Sequence, residues 1–386
     1  MNGTDEPFLT HVSHRAMACS FVVVLPPWHA AKVEVAVAAL ESLDEIERRL
    51  SVYRADSEIN QINRSGVGQA VKVSTPTFEV LRHALEISRQ TSGAFDVTAG
   101  PLVKAWGFMQ RSGKKPTATE IDAARTCVGY DAIDLDPDRR TVTLQKPGMQ
   151  INLGGIGKGD AIDRVAGRLR ENGIDDFLLH GGQSSVFAAG NGDTDAVGWQ
   201  LGIAHPTKPN RRIGGIRLLD AALGTSGSGQ QFFHHRGVRY GHVIDPRTGY
   251  PGSDLSSLTV ICDTAIKADA IGTALFVEGA RRSIELNQQW ASSTTSSSGQ
   301  PPGSGTHDGM SAAQSDANLE AVGEEIRDEN VGTLPTVRLR HHRGKFAAVF
   351  CRPGQRQDQI LVDLSGPIEL FDIDLDLIDP QSLQAD

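Results

Sequence analysis

Asp269 and Thr273 stand four residues apart in the stretch Lys267-Ala268-Asp269-Ala270-Ile271-Gly272-Thr273. On a helix, that spacing puts a carboxylate and a hydroxyl on one face. The pair suits a hard cation such as magnesium, which takes one or two protein oxygens and fills its sphere from phosphate and water. A plainer reading fits the same residues: an acid near a helix start, and a threonine bonded back to its own backbone. A second cluster, Gly154-Gly155-Ile156-Gly157-Lys158-Gly159, follows a predicted strand and opens a predicted helix. Glycines there let backbone N–H groups approach an anion, and the helix N-terminus adds partial positive charge. Lys158 would meet a phosphate oxygen directly. The cluster is not a P-loop, because Gly159 and Asp160 follow the lysine where a Ser or Thr is needed. Its Gly-x-Gly-x-Gly spacing is not the dinucleotide fingerprint either. A tight turn accounts for it equally well.

Two further stretches carry chemistry-bearing side chains. In Tyr240-Gly241-His242-Val243-Ile244-Asp245-Pro246-Arg247-Thr248-Gly249, the Asp-Pro-Arg-Thr-Gly run reads as a tight turn. His242 has an ordinary pKa near 6.5, suited to a general base at neutral pH, although a single histidine is as readily structural. Nearby Thr225-Ser226-Gly227-Ser228-Gly229 is a polar loop that would hydrogen-bond a ligand or simply turn the chain. Ala94-Phe95-Asp96, leading to Trp106-Gly107-Phe108, sets aromatic rings beside an acid and would frame a flat ring or pack a core.

The elements that must position these residues follow from periodicity. Val33, Val37, Leu40, Leu43, Ile46 and Leu50 recur at helical steps within Ala31–Leu50. A second helix follows Pro76 and stops at Gly93. Ala132–Leu153 reads as a hairpin around Asp136-Pro137-Asp138, with a further strand at Met149–Leu153. A helix over about Asp160–Glu171 is closed by Asn172-Gly173. Short strands are predicted at Phe21–Leu25, Phe177–Leu179, Trp199–Ile203, Ile213–Leu219 and Leu258–Cys262. A helix at Ile266–Glu278 ends at Gly279. Strands and helices mix without a strict βαβ rhythm, so the fold class is α+β.

Charge and cysteines exclude other classes. The chain of 386 residues carries a formal net charge of −9. Residues 357–386 hold eight acids and no Lys or Arg, so the body is nearly neutral and lacks the basic face of a nucleic-acid binder. Cys19, Cys127, Cys262 and Cys351 are too scattered for a zinc knuckle and read as isolated thiols. No secretory or lipoprotein signal is evident before Cys19, which places the chain as written in the cytoplasm. A misannotated start would instead allow a membrane-associated or extracytoplasmic protein. Residues 291–330 are rich in Ser, Thr, Gly, Pro and acids and read as a flexible insert. Residues 331–365 read as a closing hairpin around Pro353-Gly354, and 366–386 as an acidic tail, so the main domain spans 9–290.

These motifs occur together and in one order. From Met17 the chain runs through SVYRADSEIN, GAFDVTAGPLVKAWGF, INLGGIGKGDAID, GTSGSGQQFF and GHVIDPRTGYP to ADAIGTAL. In this it resembles the ApbE family, the FAD:protein FMN transferases. The resemblance implies an ApbE-like fold of mixed sheets and helices. It implies magnesium-dependent transfer of the FMN half of FAD to a Thr or Ser hydroxyl, through a phosphoester bond, with release of AMP. The acceptor it implies is a flavoprotein, typically a subunit of a membrane redox complex, modified within Asp-x-x-(Ser/Thr)-Gly-(Ala/Ser)-(Ser/Thr). Magnesium ligands would fall on Asp269, Thr273 and the Gly155 carbonyl. Flavin contacts would fall on Met17, Tyr53, Ala94, Phe95, Asp96, Asn152, Lys158 and Val243, with Asp163 and Thr225 as additions. His242 would deprotonate the acceptor, while Lys158 and Asp269 complete the catalytic set. The chain departs from the family at Met17-Ala18-Cys19, where Met-Gly-Thr is usual, at Asn152 in place of Asp, and at Asp160 in place of Tyr. Two other functions are weighed against transfer: an FAD carrier without transfer, and a magnesium-dependent hydrolase that gives FMN and AMP.

Overall fold

The computed structural model describes residues 8–193, 196–208, 210–227, 231–252, 255–295, 336–337, 346–353 and 360–365. The sequence-predicted insert and acidic tail lie outside the described residues, apart from the helical end of the segment before 295.

An eight-stranded sheet organises the chain. Its order is Thr10–Ala16, Cys19–Leu25, Phe177–Gly181, Ser185–Ala189, Ala221–Gly227, Ser257–Cys262, Ala347–Pro353 and Ile360–Ser365. Every neighbouring pair is antiparallel. Central strands are covered on both faces. All six residues of Ser257–Cys262 and all five of Ser185–Ala189 are buried. A strand buried on both faces loses the in-out alternation that marks a half-exposed one.

The helices are α1 (Val33–Leu50), α2 (Glu58–Arg64), α3 (Thr75–Gln90), α4 (Gly100–Ala105), α5 (Ala118–Thr126), α6 (Gly157–Glu171) and α7 (Ala265–Thr295), of which α1, α6 and α7 pack directly on one face of this sheet. The inward stripe of α1 is Ala36, Ala39, Leu40, Leu43, Ile46 and Leu50, whereas Val37 of the predicted stripe is exposed. Helix α7 breaks at Gly279, whose φ of +78° is the left-handed region that glycine takes without penalty. The predicted helix end at that residue is a break, and a second helical stretch continues beyond it.

The other face carries a small sheet of Thr336–Val337, Arg212–Leu218 and Trp199–Ala204. Its Trp199, Ile213, Ile216 and Leu218 pack with Val186, Leu223, Ile261 and Val349 of the main sheet. A third sheet joins Val71–Lys72, Thr141–Leu144 and Ile133–Asp136. The predicted strand at Met149–Leu153 does not form. That segment is extended, but its backbone pairs with the Asn63 carboxamide, at 2.6 and 2.9 Å to Ile151, and makes a single bridge to Ala99. Among the described residues no helix is long and apolar enough to cross a membrane.

Candidate active site

Helices α6 and α7 cross where the chemistry-bearing residues converge. Gly159 makes the crossing possible: a Cβ there would lie 2.2 Å from the Ala265 carbonyl oxygen. Gly224 does the same between the central strand and α7, with a Cβ meeting Ala268 at 2.7 Å. Asp163 of α6 then fastens the start of α7. Its two carboxylate oxygens accept from the Ala265 and Ile266 amides, each at 2.8 Å. Those amides are among the four donors that a helix start leaves without an internal partner. Burial pushes the Asp163 carboxyl up to about 7 despite these bonds.

One turn further along, Asp269 faces the start of α6. Protein surrounds it densely, yet it keeps some accessible surface. The Gly159 amide donates to its Oδ2 at 2.8 Å, and the Ser185 hydroxyl donates to its Oδ1 at 2.7 Å. Ser185 also accepts from Lys158 Nζ at 3.1 Å, and Ser184 Oγ accepts from the same ammonium. Carboxylate, hydroxyl and ammonium therefore form one chain. Desolvation pushes the Asp269 carboxyl up, while Lys158 and the two donors pull it back toward the anion.

Thr273 Oγ1 donates to the Asp269 carbonyl at 3.0 Å, the backbone return that the sequence allowed. It still borders the glycine loop, because a Cβ on Gly155 would sit 3.1 Å from that oxygen and 3.3 Å from Phe95 Cε2. The lack of a side chain at Gly155 thus keeps a space open between Thr273 and Phe95. Asn152 steadies the loop: its Oδ1 accepts from the Gly154 amide at 2.9 Å, and its own amide donates to Val97 at 2.7 Å. Met17 closes the far side, with its methyl 3.5 Å from where a Gly157 Cβ would be. Met17 and Ala18 turn the first hairpin with φ of +51° and +60°. Both central residues of such a turn sit in left-handed space, so the usual glycine at position 18 has a steric reason.

Met17, Phe95, Asn152, Gly155, Lys158, Asp269 and Thr273 are therefore gathered around the glycine loop. Thr225 joins it through its amide, which donates to the Ser184 carbonyl at 2.6 Å, while its hydroxyl pairs with Thr259 at 3.0 Å. Ala94 is buried beside Phe95. The Asp96 carboxylate is committed to a turn, accepting from the Thr98 amide and hydroxyl at 2.8 and 2.7 Å and from Tyr130 at 2.9 Å. Tyr53 is exposed; its neighbour Val52 lines a cavity of about 310 Å³ that also touches Asn60, Lys104, Gln150 and Asn152. Val243 packs on the main core, and its carbonyl accepts from Gly252 at 3.1 Å.

His242 stands at the root of a hairpin. Its amide and Nδ1 both meet the Gln231 carbonyl, at 3.1 and 3.2 Å, which assigns the proton to Nδ1 and leaves Nε2 as the basic nitrogen. Burial is the main cause that moves its pKa down; the Lys158 charge adds to that, and the Gln231 bond opposes it.

Asp160 is not part of the cradle. Arg164 binds both its oxygens, at 2.7 and 2.9 Å, and also reaches the Pro76 carbonyl at 3.0 Å, so the extra acid ties α6 to α3. Ser184 and Ser185 were not singled out from the sequence. Gly-Gly-Gln-Ser-Ser reads as an ordinary polar turn, and nothing local says that it faces a lysine and an acid distant in the chain.

The antiparallel sheet, the crossed helices and the glycine loop define a class: an α+β protein with a glycine-rich loop at a helix start, set beside a lysine, a serine pair and a carboxylate. Within that class the chain belongs to the ApbE family, whose sequence pattern matches residues 17–294. The FAD:protein FMN transferase of Vibrio cholerae is 34% identical over 254 residues, covering 64% of this chain and 75% of that one. The Haemophilus influenzae protein of the same name is 32% identical over 255 residues, covering 64% and 73%. Among solved structures, the flavin transferase ApbE from Vibrio cholerae superposes with a TM-score of 0.65 at 30% identity, over 73% of this chain and 91% of that one. The ApbE protein of Thermotoga maritima gives 0.68 at 29% identity, over 74% and 92%.

Proposed function

We propose that the chain is an FAD:protein FMN transferase that moves the FMN moiety of FAD to a Thr or Ser hydroxyl of an acceptor flavoprotein and releases AMP. The names of its relatives support this reading. The observation that carries it is the continuous Lys158–Ser185–Asp269 chain at the glycine loop, which sets a cation and a carboxylate on either side of one hydroxyl.

The donor set fits magnesium. The Asp269 carboxylate, the Thr273 hydroxyl and the Gly155 carbonyl are all hard oxygens, and the missing Gly155 side chain leaves room beside Thr273. When bound there, magnesium would neutralise charge on the transferring phosphoryl group. The chain's own groups do the rest. The Lys158 ammonium holds pyrophosphate oxygens. Asn152 keeps the loop in place through Gly154. His242 Nε2 takes the proton from the acceptor hydroxyl as its oxygen attacks the FMN phosphorus. The new O–P bond forms as the bridging P–O bond breaks, and AMP departs with that electron pair. No electrons leave the flavin, so FAD is a substrate here and not a redox cofactor.

The test is incubation of the chain with FAD, magnesium and an acceptor domain, followed by a denaturing gel for fixed flavin fluorescence and an AMP assay. Transfer gives fluorescence on the acceptor matched by AMP. AMP with no labelled acceptor would mean hydrolysis; bound FAD with no AMP would mean a carrier. Asp269→Ala should abolish transfer, and full activity in that variant would remove the proposed metal site. The variant also strands the Ser185 and Gly159 donors, at a cost of about 1–3 kcal/mol in stability.

A further inference from the structure

Residues Phe232–His235 and Val238–Gly241 form a separate two-stranded hairpin that ends at His242. Its turn is Arg236-Gly237, with φ of +50° and +78°, the pattern of a tight hairpin turn. The inner face is anchored. Phe233 and Tyr240 stack at 5.4 Å and rest on Trp106, at 6.2 and 5.3 Å. Trp106 is fully buried and donates to the Gly249 carbonyl. The outer face is different. Phe232, 42% exposed, shares it with His234 and Arg239, and the Arg239 guanidinium lies 4.0 Å over the Phe232 ring.

A second segment adjoins this hairpin. Phe108 is 5.8 Å from Phe233, Gly113 abuts the Phe233 ring, and Lys115 lies over Tyr240 at 5.4 Å. Residues 107–116 and 231–244 together contain Arg111, Lys114, Lys115, Arg236 and Arg239, with no Asp or Glu, and Lys114 pairs with Glu120 at 3.0 Å. On a body of near-zero net charge, the other four cations make a basic patch beside an exposed aromatic ring, held from beneath. It also shares the Gln231 carbonyl with His242. Any hydroxyl brought to His242 must belong to a chain that crosses the surface beside it.

We infer that this hairpin and the 107–116 segment are the docking surface for the acceptor protein, and that they select a segment carrying acids and an apolar side chain next to the modified hydroxyl. The inference rests on the transferase reading for its partner. Phe232 would take the apolar side chain, while Arg236, Arg239 and Lys115 would meet the acids. Charge of this kind acts on partner choice and encounter more than on chemistry.

The probe is a pair of short fluorescein-labelled synthetic peptides with one threonine, flanked by aspartates in one and by lysines in the other, titrated into the FAD-loaded chain. The acidic peptide should bind at least about tenfold more tightly, and raising salt from about 50 to about 500 mM should erase that preference. Arg236→Glu with Arg239→Glu should abolish the preference while FAD affinity stays unchanged. Lys115→Glu, on the other segment, gives a second variant should the first not fold. Equal binding of both peptides, or an undiminished preference in the folded variants, overturns the inference. So does a wild-type chain that binds anionic phospholipid vesicles through these same arginines with no peptide preference, which would make the patch a membrane contact. Transfer is scored separately: charge-dependent binding with no AMP and no labelled acceptor would sink the transferase reading and leave the docking surface standing.

Discussion

Burial acts on His242 in the direction a neutral-pH base needs. Desolvation disfavours the imidazolium, and the nearby Lys158 charge does too, so the ring's pKa falls below its ordinary 6.5. A base works in its unprotonated form, so the transfer rate should rise with pH and level off, with its midpoint below 6.5. His242→Ala should flatten that acid limb and slow transfer more than it weakens FAD binding. A midpoint above 6.5, or a limb that survives the substitution, would remove the histidine from this role. Ser185 is the other residue to test, because it alone bonds both Lys158 and Asp269. It is fully buried and would act on a magnesium ion at the proposed site only through the carboxylate it orients. Ser185→Ala should weaken magnesium binding about tenfold, read by calorimetric titration of the metal alone, and Ser185→Thr should restore part of it. An unchanged magnesium affinity would make the serine a packing residue. The paired Asp269 and Thr273 were legible from their spacing. Ser185 was not, because its importance arises from a strand brought beside α7 from 84 positions away.

At the level of elements, the α6–α7 crossing fixes the site and Asp163 locks it. The folded-state pKa of about 7 lies above the ordinary 3.8, so the folded protein holds this proton more tightly than the unfolded chain. Stability from this group is therefore complete below pH ~3.8 and is lost as pH rises through ~7. Asp163→Asn keeps an uncharged acceptor for one amide and cannot ionise. Its melting temperature should gain on the wild type between pH 5 and pH 8 in metal-free buffer, on top of a constant cost from the second, unpartnered amide. A difference that does not change with pH would mean that Asp163 titrates normally. Periodicity read α1, α3, α6 and the first part of α7 well, because each buries one clear stripe. It started α6 at Asp160 because glycines count against a helix, whereas Gly157 and Gly159 are inside it. Close approach to Ala265 overrides that propensity. Strands Ser185–Ala189 and Ala221–Gly227 escaped notice for a related reason. Ser185–Ala189 is buried on both faces, which erases alternation, and Ala221–Gly227 is mostly small residues with little β-branched or aromatic signal.

For the whole molecule, the decisive feature is that the chain returns after a long excursion to complete its own main sheet. Ser257–Cys262 would be an edge strand without Ala347–Pro353, and all six of its residues are buried. The α+β class follows from the sequence, and so does the final hairpin. The partner of that hairpin does not, since nothing near residue 350 specifies pairing with residues some ninety positions earlier. Phe346, Val349 and Phe350 are fully buried where the strand returns. At about 1.5–3 kcal/mol for each such side chain, they rival the whole net stability of a domain, about 5–15 kcal/mol. Ending the chain at residue 330 should therefore yield unfolded or aggregated protein, both from the lost burial and from the exposed apolar edge. Replacing residues 300–330 with a shorter Gly/Ser linker keeps the returning strand, and loop length enters stability only logarithmically. That variant should melt within a few degrees of the full chain and bind FAD equally well. The two variants separate two roles. If truncation and linker replacement were equally damaging, the intervening segment would itself be part of the core; if both were harmless, the returning strand would carry far less of the stability than its burial implies.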